Sequence, residues 1–232
     1  VAFGDVQFST LTSSVANPTF VHTPTHVPKA VMLTAAKNTI SSTTALSSVS
    51  YAGNQLTKQV VAVDSAGELG TAEIWAVTST SVMFSSGAAT VAIGKASTAS
   101  FQYVCFTVFA DGNITVASTN KGAEDQNTSN ATVSIAKAGA LRWAFGCAFS
   151  GVGSTSESTM VAGITRVADL DLGNQCLFHL RESTAGTADI TFGYTQTADD
   201  WALVAIAIQE EAVGGGGGSM HRPWRMGVLG VN

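Results

Sequence analysis

Charge is scarce in this sequence. Asp, Glu, Lys and Arg make up 12% of its 232 residues, and 16 acids against 11 bases leave a net charge of −5. Neutralising phosphates requires a cationic surplus, so the charge argues against a nucleic-acid partner. No apolar run approaches the roughly 18 residues of a membrane helix, and residues 1–10 have neither a basic n-region nor an apolar h-region. Membrane insertion is therefore not expected. The three cysteines, Cys105, Cys147 and Cys176, form no even framework and no C-x-x-C pair. Their apolar surroundings point to buried thiols, with a single disulfide as the alternative.

Catalytic constellations are equally sparse. The sequence contains no G-x-S-x-G elbow, no H-E-x-x-H, no Walker sequence and no G-x-G-x-x-G, so neither a catalytic residue nor a cofactor is assigned. Of the four histidines, His22 and His26 fall in a Pro-punctuated extended stretch where a spacing of four lacks helical geometry, and they read as loop surface. His179 alternates with Phe178 and Leu180 and reads as a hydrogen-bonded sheet histidine, while His221 belongs to the C-terminal arm. Asp169 and Asp171 with Asn174 resemble a calcium loop only loosely. Gly173 comes one position too early and Leu180 stands where Glu would be needed, so no metal site is assigned. The acids Glu68, Glu73, Glu157, Asp189, Asp199 and Asp200 lack the paired strand pattern of jelly-roll glycosidases. The three N-x-[ST] triplets at Asn113, Asn127 and Asn130 are expected by chance in a chain so rich in hydroxyls.

What is present is material for sheets. Hydrophobic residues reach 45%, and Ser with Thr supply about a fifth of the chain. Short runs rich in strand formers recur at 72–77, 82–85, 90–93, 101–109, 114–117, 131–136, 141–149, 159–167, 175–180, 188–194 and 201–209. None carries a helical stripe, and Gly, Asn, Asp or Ser separates them. Ala131, Val133 and Ile135 alternate with Thr132, Ser134 and Ala136, as a half-wetted sheet requires. The run 101–109 is apolar on both faces, which predicts a central strand covered on its second side by a loop or a neighbouring subunit. The run 121–130 mixes Gly, Asn, Ser and charge and reads as a loop tip. The predicted fold is all-β: one antiparallel two-sheet jelly-roll sandwich over residues 1–213, since no internal repeat and no earlier linker appears.

Residues 214–218 are five glycines, followed by an arm to residue 232. Such a run behaves as a flexible coil. Fixing each backbone residue costs about 1–2 kcal/mol, so ordering an arm of about twenty residues needs on the order of 20–40 kcal/mol of contacts. A neighbouring subunit is the natural source. Met220, Trp224 and Met226 would serve as apolar anchors and Arg222 and Arg225 as polar clamps. The Gly-Gly-Gly-Gly-Gly-Ser composition also matches an engineered linker.

Three segments carry a resemblance. Tyr51-Ala52-Gly53-Asn54-Gln55-Leu56-Thr57, then Ala72-Glu73-Ile74-Trp75, then Asp199-Asp200-Trp201-Ala202-Leu203-Val204 are similar in order and spacing to a jelly-roll (concanavalin A-like) domain. That domain recurs in virion proteins of tailed bacteriophages and in some bacterial surface proteins. Residues 78–81 stand where that pattern has a Pro-Gly turn, and the arm lies outside it. The resemblance implies a structural or adhesive role and supplies no catalytic residue. It would place Trp75 and Trp201 as core aromatics on facing sheets, Glu73 outward or paired, and Gly53 in a turn with positive φ.

Two expectations follow. The first is a virion structural subunit, such as a capsid decoration or head- or tail-associated protein, on the outer surface of the particle. It would contact copies of itself and other virion proteins, and low charge would spare desolvation on assembly. The second is a carbohydrate-binding adhesin module in which Tyr51, Trp143 or Tyr194 contacts a host-surface glycan, core packing being the favoured alternative for each of the three rings.

Overall fold

The computed structural model of the chain describes residues 3–38, 46–64, 70–81, 84–95 and 100–211. In chain order the strands are β1 (Asp5–Ser13), β2 (Thr19–His22), β3 (Ala30–Asn38), β4 (Ser48–Tyr51) and β5 (Asn54–Gln55). There follow β6 (Thr57–Asp64), β7 (Gly70–Thr78), β8 (Ala89–Gly94), β9 (Phe101–Phe109) and β10 (Ile114–Ile135). The last are β11 (Arg142–Ser150), β12 (Ser158–Met160), β13 (Ile164–Asp171), β14 (Cys176–Glu182) and β15 (Ile190–Glu210), and a 3-10 turn lies at Thr155–Glu157. The chain is all-β, and every strand pairing is antiparallel.

Three sheets form among the described residues, where two were expected. Sheet I has the order β1-β9-β3-β7-β6, sheet II the order β10-β15-β11-β14-β13, and sheet III the order β2-β8-β4-β5. Sheets I and II pack face to face through Met32, Ile74, Val104 and Phe106 on one side and Phe145, Phe149, Val204 and Ile206 on the other. Sheet III covers the far face of sheet I, burying Val31, Leu33, Tyr103 and Cys105 against Val49, Tyr51, Val91 and Ile93. The far face of sheet II is covered by its own longest strands. Residues of β10 and the first part of β15, Val133, Phe192 and Tyr194 among them, fold back over Ala148, Phe178, Leu203 and Ala205.

This layering explains the burial patterns. The strands β3, β7 and β9 are covered on both faces, and nearly all their residues are inaccessible. A second cover exists for 101–109 as expected, but it is sheet III of the same chain, where a loop or a neighbouring subunit was expected. By contrast β8 alternates buried and accessible residues because sheet III has one wet face. The turn between β4 and β5 pairs Tyr51 with Asn54, with Ala52 at φ 50° and Gly53 at φ 81°. Two successive positive φ values make the two-residue hairpin turn whose twist suits antiparallel strands. The expected role of Gly53 is met.

Several strand boundaries differ from the sequence reading. Residues 121–130 were expected to form a loop between two strands, but they lie inside β10, whose ladder with β15 runs from Ile114 to Ile135. Register shifts at Val116/Ser118, Glu124/Thr128 and Thr128/Asn130 bend the pair instead of ending it. A continuous partner strand supplies backbone hydrogen bonds that the polar composition does not announce. No strand was expected before residue 72, yet β1 to β6 precede it. Residues 84 and 85 are not in a strand, and 82 and 83 lie outside the described residues. Trp75 and Trp201 are both core residues, but they are not on facing surfaces: Trp75 packs under sheet III and Trp201 under the folded-back layer.

Candidate functional site

The richest polar constellation lies between sheets I and III. Glu73, on β7, is wholly buried and accepts hydrogen bonds from Leu46 N at 2.7 Å and Trp75 Nε1 at 2.9 Å. Lys58 Nζ stands 3.4 Å from its second oxygen, sits 4.8 Å from the Trp75 ring centroid and donates to Leu46 O at 3.0 Å. Burial pushes the Glu73 carboxyl above its usual range, and the Leu46 amide, Lys58 and Trp75 oppose that shift. Glu73 is therefore paired, as the resemblance allowed. Its alternation position on β7 faces sheet III because Ile74 and Ala72 face sheet II.

Two more cations occupy the same layer. Lys37 Nζ and Lys95 Nζ lie 5.5 Å and 4.9 Å from the Phe101 ring centroid, and Lys95 Nζ donates to Ser13 O at 3.0 Å. Burial lowers Lys37 to about 8, with Glu73 raising it and Lys95 adding to the depression. An amine near 8 is chemically competent as a nucleophile. Lys37 has no accessible surface, however, so the described structure offers a substrate no approach to it. The sequence reading overlooked both lysines; the available signal was Lys37 continuing the apolar run Ala35-Ala36.

The histidines join layers. His22 was expected on a loop surface; it is buried, with Nδ1 2.8 Å from Ser9 Oγ and Nε2 2.9 Å from Thr107 Oγ1. The reason is tertiary: β2 crosses the edge of sheet I where β1 and β9 present two inward hydroxyls. Serine, imidazole and threonine in a row look like a nucleophile and its base, but no carboxylate orients the ring. His179, on β14, links sheets II and I. Its Nδ1 lies 2.7 Å from Thr34 Oγ1, whose own hydroxyl donates to Val104 O at 3.3 Å, so the imidazole Nδ1–H is the donor between them. His26 is exposed, as expected.

The remaining charged groups serve similar ends. Lys137 Nζ pairs with Glu182 out of contact with water, and the other Glu182 oxygen accepts from Ala144 N at 3.2 Å. Asp169 pairs with Arg166 at 2.8 Å, and Asp171 Oδ1 accepts from Gly173 N at 2.8 Å. No group of three metal-ligating side chains occurs among the described residues. A cavity of about 230 Å³ opens beside β6 and β7, lined by Gln55, Thr57, Gln59, Thr78 and Ser81 with Ala76, Val77 and Val116. Its lining carries no formal charge.

The residues expected to touch a glycan do not reach the surface. Tyr51, Trp143 and Tyr194 are 1%, 7% and 0% exposed. Tyr51, on sheet III, packs onto sheet I, Trp143 packs against Phe145 between sheets I and II, and Tyr194, in the fold-back, packs onto Phe178, so none offers a ring face to a sugar. The core alternative holds for one reason: burying both faces of two sheets draws in most of the described aromatic side chains. All three cysteines are free thiols and buried, as read from the sequence. The arm residues Met220, Arg222, Trp224, Arg225 and Met226 lie outside the described residues. No described helix is long and apolar enough to cross a membrane. No family model, no curated protein and no solved structure matches this chain.

Proposed function

We propose that the chain is a non-enzymatic structural subunit of a virion, a capsid decoration or head- or tail-associated protein of the jelly-roll type. One observation carries this reading: the buried polar groups are used to join layers. Glu73, His22 and His179 each bridge separate strands or sheets, Lys137 pairs with Glu182, and none of these residues lines the cavity. A rigid, multiply covered sheet stack with few surface charges suits burial against neighbouring subunits, since few ions must be desolvated. Similarity of the three sequence segments to tailed-phage virion domains supports the particle setting. The test is immunogold labelling, with antibody to the full chain, of particles released by the culture that produces it. Label on capsid or tail is the expected result; label absent from all particles overturns the proposal.

A second reading, binding of host-surface glycan, has one observation in its favour. The uncharged cavity offers two amides, Gln55 and Gln59, and three hydroxyls, Thr57, Thr78 and Ser81, which suits a neutral polyol. A glycan array probed with the full chain separates the two readings: retention lost in Gln55→Ala supports it, and no retention removes it.

A further inference from the structure

A strand at the end of a sheet exposes a row of unpaired backbone N–H and C=O groups, and proteins blunt such edges with bulges, lysines, prolines or short length. Most edges here are protected in this way. Sheet I ends on one side at β6, which carries Lys58 and a register shift at Lys58/Val60. Sheet II ends at β10, with Lys121 and three shifts, and at β13, with Arg166 and a shift at Arg166/Ala168. Sheet III ends at β2 and β5, of four and two residues. The exception is β1. It is nine residues long, pairs β9 without a shift from Asp5 to Ser13, and contains no Lys, Arg or Pro.

The same strand carries an exposed aromatic side chain, Phe8. Five large hydrophobic residues are exposed in the described structure: Phe8, Val15, Val21, Val27 and Leu141. Four of them fall within residues 8–27, on β1, on β2 and on the segments that follow each. Phe8 is 46% exposed although its ring is within 6.1 Å of Phe106. An exposed aromatic on a long, unblunted edge strand is a feature of an interaction surface.

We infer that β1 pairs antiparallel with β1 of a second copy of this chain, joining two five-stranded sheets into one. The charge pattern selects a second copy. Asp5 is the single charged residue of β1, and a two-fold centred on Phe8 sets it opposite Leu11 of the second copy. The two Asp5 carboxylates then stand six residues apart, about 20 Å along the strand, beyond the screening length at physiological salt. The two Phe8 rings meet at the axis, on the face that already carries Phe106. The inference rests on the sheet edges and not on the virion proposal, so a failure of one leaves the other standing.

Light scattering after size-exclusion chromatography and sedimentation equilibrium of the full chain at roughly 100 μM, well above a micromolar Kd, provide the test. The native chain is expected at twice its 23.7 kDa mass. The double variant Phe8→Lys/Thr10→Lys is expected at the single mass, and Leu141→Lys, which removes an exposed apolar residue elsewhere, at twice. A native chain of single mass, or a double variant with the native mass, overturns the inference. Hydrogen exchange of the native chain needs no variant: protection of β1 amides is expected to rise with protein concentration, and concentration-independent protection also overturns it.

Discussion

Acid should weaken this fold through His179, and the size of the effect follows from its position. The imidazole is fully buried between sheets I and II, and burial lowers its pKa from 6.5 to about 3. In the unfolded chain the ring protonates below about 6.5, whereas in the folded chain it stays neutral down to about 3. The unfolded state therefore binds more protons across that window, so stability is complete above about pH 6.5 and declines as the pH falls. At pH 5 the deficit is about 1.5 pKa units, or about 2 kcal/mol at 1.36 kcal/mol per unit. His22 shifts in the same direction, and Glu73, raised by burial, acts oppositely, its stability contribution lost as pH rises. The comparison needed is between the native chain and His179→Asn, which keeps an N–H for Thr34 and does not titrate, because the other two groups are common to both. Urea unfolding followed by tryptophan fluorescence at pH 7, 6 and 5 reads it. The native chain should lose about 2 kcal/mol more than His179→Asn between pH 7 and 5. Parallel losses in the two proteins would refute the assignment.

Other substitutions test the remaining contacts. Glu73→Gln replaces a carboxylate that faces three donors with an amide that brings its own, and should cost about 2–3 kcal/mol in urea unfolding at pH 7. Gly146→Ala should lower stability by about 3 kcal/mol or more, because its Cβ would lie 2.4 Å from Val204 O and 2.5 Å from the Phe192 ring. Gly53→Ala meets open space and should cost only about 1 kcal/mol, the penalty of a positive φ, in the same urea unfolding. Cys105, Cys147 and Cys176 should resist a thiol reagent in the native state at pH 8 and all react in denaturant, since burial both covers the thiols and raises their pKa.

Part of the architecture could be read from local patterns. The strand at 101–109 is apolar on both faces wherever it is placed, so its central position was legible from its residues alone. Gly53 and the buried thiols were legible for similar reasons, because a positive φ and an apolar neighbourhood leave marks within a few residues. His22 was not. Its setting between Ser9 and Thr107 depends on sequence separations of 13 and 85 residues, and its own neighbours are a polar, proline-marked stretch. Residues 121–130 misled for the opposite reason: their composition suits a loop, and the partner strand β15 overrides it. Tyr51, Trp143 and Tyr194 were legible as core aromatics with glycan contact as the other choice, and burial by layers distant in sequence decided for the core.

The sequence by itself determined that this chain makes antiparallel sheets and carries little charge, because strand propensity, alternation and turn residues act over a few positions. Only the tertiary structure decided how many layers there are, which ionisable groups lie between them and which edge is left open. Those outcomes depend on contacts between strands remote in the chain, where burial changes a side chain's solvation without any change in its neighbours along the sequence.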